Sequence, residues 1–277
     1  MNILNRLSGK RERASGTSEE PALNFACVLL SEAQLPDADA VALAFRDYAV
    51  AGEELRTEQG ASEDGASAQA ISLTLTSGEK SFAALMPTAV PGGEAEHNAQ
   101  FSLSRFSDNW EPPRHTAHLV VTFHSTPDSP PAVRLSRFTS LLAAVTKASS
   151  AVGVYWGSAG ATHGSEFFLA VASEQDIAPR MMLWSGVSIV RGEDGRLSLL
   201  SLGMEQFDLP NLLLVSGKDS ETSAVETMYD LLTYVVTHGE PLPEGNTVGR
   251  TGDEHLPVHY VPSPIDPDKT VWRVELP

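Results

Sequence analysis

The chain has 277 residues, with 19 Lys and Arg against 36 Asp and Glu for a formal net charge of -17, 42% hydrophobic residues and one cysteine. A single cysteine excludes a disulfide framework and a cysteine-based zinc site. The acidic balance opposes nucleic acid, whose binding rests on phosphate neutralisation by Lys and Arg. The length suits one large domain or two fused modules, each able to bury a core.

Met1 to Arg13 carries Arg6, Lys10, Arg11 and Arg13 against the one acid Glu12. No apolar run of signal-peptide length follows, and no stretch approaches the span of a membrane helix. The protein is therefore expected in the cytoplasm. Residues 1–20 read as a frayed basic tail and linker, with a membrane-surface contact through Ile3, Leu4 and Leu7 as the lesser reading.

Asn24 to Leu30 is an apolar run of strand length, and Cys27 within it reads as an inert buried thiol. After Pro36-Asp37, the positions Val41, Ala44, Phe45 and Tyr48 follow a helical period. Glu53 to Ala70 reads as a loop. Ile71, Leu73 and Leu75 then alternate with polar residues, and the turn Ser77-Gly78-Glu79-Lys80 leads into Ser81 to Met86, which predicts a hairpin. Pro87 to Asn98 reads as a second loop, and His118 to His124 as a strand.

Pro130 and Pro131 mark a helix start, followed by the stripe Leu135, Phe138, Leu141, Leu142 and Val145. This helix holds Arg134, Arg137 and Lys147 and no acid, so it is expected to neutralise acidic neighbours within the fold through exposed ion pairs. Such pairs are weak, about 1 kcal/mol or less when lost. Gly153 to Trp156 reads as a strand, Ser158 to Gly164 as a small-residue loop and Ser165 to Ala172 as a helix. Met182 to Val190 and Leu197 to Leu202 read as strands flanking Arg191-Gly192-Glu193-Asp194-Gly195-Arg196. Leu212 to Val215 predicts a strand before a helix capped at Asp219-Ser220 and carrying Val225, Met228, Leu232 and Val235. His238, Gly239 and Pro241 end that helix. Pro257 to Val261 and Thr270 to Leu276 close the chain as strands.

Strand, helix, strand, strand occurs at both ends. The expected fold is α+β: two βαββ-like modules of mainly antiparallel sheet with helices packed on one face. Residues 21–175 form the N-terminal module and 176–277 the C-terminal one.

The last third resembles a bacterial family catalogued as domain of unknown function 4261. The matching text is Leu202-Gly203-Met204-Glu205-Gln206-Phe207, Leu209-Pro210-Asn211-Leu212, Gly245-Asn246-Thr247-Val248-Gly249 and Val258-His259-Tyr260-Val261-Pro262-Ser263-Pro264. Upstream, Val154-Tyr155-Trp156-Gly157 and Phe167-Phe168-Leu169 look like what precedes that domain. Where other members tend to have Phe-Thr, this chain has Arg250-Thr251. The resemblance implies a bacterial source and an α+β build, and no particular chemistry.

Gly217-Lys218 invites a phosphate-loop reading, but the spacing fails, because the earlier glycine would fall at Leu212 and Asp219 replaces the hydroxyl residue after the lysine. No Gly-x-Ser-x-Gly elbow occurs. His115, His118 and His124 suggest metal, yet in a strand His118 and His124 stand about 20 Å apart. Pro257 likewise forbids a helical pairing of His255 with His259. No metal or cofactor is expected; were one present, His115, His118 and His163 would be the first suspects. Carboxylate pairs such as Asp253-Glu254 read as solvated surface.

Two loops remain as ligand-binding candidates. One is Tyr155 to Ser165, with Trp156, Ser158, His163 and Ser165, where small residues admit a ligand to backbone amides. The other is the glycine-rich Gly245 to His255, with Asn246, Arg250 and His255. No catalytic residue is assigned. The expected function is a non-catalytic protein-binding or accessory role, immunity-type factors included, in which an acidic surface meets a protein partner of basic charge. The alternative is a hydrolase with its site between loops 156–165 and 245–255.

Overall fold

A computed structural model describes residues 23–60, 69–107, 110–126, 128–217, 220–249, 251 and 253–277. The basic tail, the linker after it and Lys218-Asp219 of the rejected phosphate loop lie outside the described residues.

The apolar run forms β1 (Leu23–Leu30), and both of its faces are buried. Ala26, Val28 and Leu30 point into the main core, while Cys27 and Leu29 enter a smaller cluster on the opposite face with Val90, Ala95 and Tyr155. A strand covered on both sides cannot show polar alternation, which explains its continuous hydrophobicity. The helix after Pro36 is α1 (Ala38–Phe45), and Asp37 caps it by accepting from the Ala40 amide at 2.9 Å.

The segment read as a loop over 53–70 contains β2 (Leu55–Gln59), an edge strand of mostly exposed, polar residues paired with β3 (Ala70–Leu75). Its polarity hid it, and the same polarity suits an edge that must not recruit another chain. The predicted hairpin is β3 with β4 (Lys80–Met86), in register Thr74 to Lys80. The second predicted loop instead carries short helical turns, among them α2 (Glu94–Asn98), which lie over the smaller cluster.

Next come β5 (Ala117–His124), α3 (Pro131–Lys147) and β6 (Ala151–Trp156). The stretch read as a small-residue loop turns tightly and returns as β7 (Ala161–Gly164), antiparallel to β6. These strands form one seven-stranded antiparallel sheet in the order β2-β3-β4-β5-β1-β6-β7.

After α4 (Ser165–Ser173), the expected strand beginning at Met182 is shorter. Met182 to Trp184 belong to α5 (Ile177–Trp184), and β8 (Gly186–Arg191) starts beyond it. Pro179 stands in the first turn of α5, where a missing N–H costs little. The second sheet contains β9 (Leu197–Leu202), β10 (Leu212–Ser216), β13 (His259–Pro262) and β14 (Thr270–Leu276), in the order β13-β14-β10-β9-β8. Between β10 and β14 runs α6 (Glu221–His238), which is why that pair is parallel while the other pairings among the described residues are antiparallel. Ser220 caps α6 by accepting from the Ser223 amide, and Gly239 closes it in the left-handed conformation. A two-stranded ribbon joins β11 (Thr247–Val248) to β12 (Leu256–Pro257).

One hydrophobic core runs through both sheets. Phe123 stacks on Phe138 at 5.5 Å, Phe138 meets Trp156 edge to face at 5.1 Å, and Trp184 of α5 lies 5.9 Å from Phe207. The core continues to Leu199, Met228 and Val274.

The basic helix does find acids within the fold, but not at the surface. Arg137 bridges Glu53 at 2.9 Å and Glu79 at 2.8 Å, and those carboxylate side chains are only 7% and 0% exposed. Ser77 donates to both, from its backbone N–H to Glu53 and from its hydroxyl to Glu79. The expected small cost therefore gives way to that of a buried pair broken from one side. Replacing Arg137 by Ser should cost about 3 kcal/mol in urea unfolding, because it strands a buried carboxylate. A loss below about 1 kcal/mol would mean that water screens the cluster.

Candidate binding site at the junction of the two sheets

The chain leaves β6 through a single turn, Gly157–Ala159, closed by Gly160 in the left-handed region. Against it packs the connection from β9 to β10: Gly203 at φ 90°, a turn Met204–Phe207, and Asp208 at φ 59°. The approach is backbone to backbone. A Cβ on Gly203 would lie 2.5 Å from the Ser158 carbonyl oxygen and 2.7 Å from the Ala159 Cα, so only glycine fits, quite apart from its positive φ.

Local bonds lock this connection. The Asn211 carboxamide accepts from the Met204 amide at 3.1 Å and donates to Glu205 at 3.1 Å, while Lys269 pairs with the same carboxylate at 3.1 Å. Gln206 ties the two sheets together. Its side-chain oxygen accepts from Trp156 Nε1 at 3.0 Å, its amide nitrogen donates to the Trp184 carbonyl at 3.0 Å, and its own carbonyl accepts from Arg134 Nη2 at 2.9 Å.

Around this joint opens a pocket of about 920 Å³. Asn24 and Arg134 line it from the first sheet and its helix, Ser158 from the turn, and Gly203, Asp266 and Lys269 from the second half. Burial pulls the Arg134 guanidinium below its ordinary value while the Asp208 charge opposes that shift, and an arginine in this setting stays a cation.

Of the residues expected at a site, Trp156 and Ser158 come together here, the first as fully buried support and the second exposed on the pocket wall. His163 does not join them. It is fully buried, with Nδ1 2.7 Å from Ser102 Oγ and Nε2 3.2 Å from the Leu183 carbonyl oxygen. Ser165 begins α4 and is half-buried. Asn246 and His255 are exposed on the other loop, and Arg250 lies outside the described residues. That loop contributes Thr247, Val248 and Gly249 to a different pocket, of about 410 Å³, beside Tyr234 of α6.

Two of the candidate metal-ligating histidines bond backbone groups. His115 Nε2 accepts from the Val90 amide at 2.8 Å, and His118 Nδ1 lies 2.7 Å from the Thr88 carbonyl. Among the described residues no group of three or more His, Cys, Asp or Glu could hold a metal ion, and no helix is long and apolar enough to cross a membrane.

Asn24, Arg134 and Gln206 were not legible as site residues. Asn24 alone left a trace, since it occupies the parity of Ala26, Val28 and Leu30 and so puts a carboxamide where the strand pattern asks for an apolar side chain.

Comparison with known proteins places residues 200–275 in a family model described as Domain of unknown function (DUF4261). No curated protein and no solved structure matches the chain. The matched segment supplies the Gly203 to Asn211 connection and the Ser263 to Val271 side of the pocket, while Asn24, Arg134 and Ser158 come from outside it.

His163 sets an acid limit on stability. Burial pushes its imidazole down to about 4 from 6.5. Between those values the unfolded chain binds a proton that the folded chain refuses, so stability falls as pH drops through this window, by about 3 kcal/mol in all. Burial shifts His118 in the same direction. A His163→Gln protein, compared by urea unfolding at pH about 7 and about 4, should lose about 3 kcal/mol less on acidification. An identical acid loss would place the proton uptake elsewhere.

Proposed function

We propose that this is a non-catalytic binding protein that engages a protein partner of basic charge, as an accessory or immunity-type factor of the bacterial cytoplasm. The chemistry of the junction pocket carries the reading. The ionisable side chains lining it are Arg134, Glu205, Asp208, Asp266 and Lys269, with no histidine or cysteine among its described lining residues. Ser158, Ser263 and Thr270 therefore have no imidazole beside them to act as base, and Glu205 is already held by Lys269 and Asn211. The histidine of the neighbouring loop is sealed in the core as a neutral ring. A hydrolase with its site between loops 156–165 and 245–255 would need them to share a cleft, and they line different pockets. A net charge of -17 favours encounter with a cationic surface.

The test is capture of the partner from a host lysate, followed by affinity measurements at low and high ionic strength. Affinity should fall about ten-fold or more as salt rises from about 0.05 M to about 0.5 M, because screening shortens the reach of the acidic faces. Affinity that holds or improves would remove the charge-driven reading.

A further inference from the structure

Two residues lining the junction pocket each carry a buried polar atom with no hydrogen-bond partner among the described residues. One is Asn24 Oδ1, an acceptor on a residue only 6% exposed; the other is Arg134 Nε, a donor on the guanidinium that Gln206 anchors from one side. Unpaired buried groups are uncommon in folded proteins and costly wherever they occur. Here an acceptor and a donor stand unpaired on two residues that line one pocket. Each also breaks a local rule. Asn24 interrupts the inward apolar face of β1, and Arg134 puts a cation in the first turn of α3, which contains no acid and where the helix dipole is already positive. Local folding rules are broken most often where function requires it.

We infer that the junction pocket receives an extended, lysine-bearing peptide segment of the partner, one of whose peptide units donates N–H to the Asn24 side-chain oxygen and accepts from Arg134. This rests on the protein-partner reading above and gives it a site. A peptide unit supplies one donor and one acceptor, the two kinds of partner that Asn24 Oδ1 and Arg134 Nε lack. In the unbound chain both atoms are covered, so the segment engages them as the Asn24 carboxamide and the Arg134 side chain turn toward it. The rim matches the rest of such a segment. Asp208 and Asp266 line the pocket as counter-charges for a lysine, and Ile265, 67% exposed on its edge, offers an apolar contact. The floor, made of the Gly157 to Gly160 turn packed on Gly203, is rigid backbone, so little order has to be created on binding.

The experiment titrates the full chain with short acetylated, amidated peptides of lysine and glycine, using peptides with glutamate in place of lysine as the control, and reads backbone amide NMR shifts and affinity. The expected result is perturbation centred on Asn24, Arg134, Ser158 and Gly203 by the lysine peptides alone. Asn24→Leu and Arg134→Met should each weaken binding about ten-fold or more, and Lys147→Ser at the far end of α3 should leave it unchanged. Asn24→Leu should also melt at or above the wild-type temperature, because it removes an unpaired acceptor; that separates lost binding from lost folding. Absence of binding, shifts that map elsewhere, or undiminished wild-type affinity in both pocket variants would overturn the inference. If a captured protein partner binds Asn24→Leu and Arg134→Met as tightly as wild type, the pocket assignment fails while the partner reading stands. If the peptides bind the pocket and no protein is captured, the pocket assignment stands without that reading.

Discussion

The structure turns on a contact in which two stretches of main chain touch with no side chain between them. Gly203 rests against the Ser158 carbonyl, and Gly186 approaches Ala159 so closely that a Cβ there would lie 2.8 Å from its carbonyl oxygen. A side chain at either position would push the seven-stranded and five-stranded sheets apart. Gln206 then spans the gap with bonds to Trp156 and Trp184, satisfying both indole and backbone in a place where an unpaired group would be expensive. The two indoles that Gln206 joins also carry ring contacts, Trp156 with Phe138 and Trp184 with Phe207, so hydrophobic burial and polar satisfaction reinforce a single geometry.

The pocket follows from that joint. Two sheets held at close quarters by their turns leave a re-entrant corner beside the contact, and the corner takes its residues from both halves of the chain. Neither half alone contains the arrangement. The segment that matches DUF4261 provides the folded connection and the acidic rim, and the upstream sheet provides the carboxamide and the guanidinium.

Much of the fold was legible because its strongest elements announce themselves. The run of β1, the proline-started α3 and the Ser220 to Gly239 limits of α6 each combine a burial pattern with a specific end signal. The misread segments lack one or the other. Leu-Arg-Thr-Glu-Gln in β2 is polar because it lies at an edge, and its pairing is dictated by β3 rather than by its own residues. Ala-Thr-His-Gly in β7 looks like a loop, yet β6 supplies a template for it. The last residues of α5 are as apolar as a strand because they enter the core beside Phe207. The candidate site was half legible. Trp156 and Ser158 drew attention through the small residues around them, whereas Asn24 and Arg134 meet them only through tertiary packing, which no local pattern encodes. His163 misled because a histidine in a small-residue turn resembles a ligand until its ring is seen among Ser102, Phe167 and Leu183.

Cys27 has a use beyond its inertness. Its thiol is buried between β1 and the short helical turns around α2, and burial together with the Glu94 charge pushes it up to about 12. A maleimide or disulfide reagent therefore meets a protonated, covered sulfur until that covering segment lifts. Since the chain contains no other cysteine, the labelling rate is a clock for one local opening event, free of background from elsewhere. The segment is fastened by the His115 and His118 imidazoles and by the bond from Tyr155 to Glu94, so the clock reads the strength of those fastenings. A molecule that needs no engineered probe thus carries its own gauge of how tightly the outer face of its first sheet is closed.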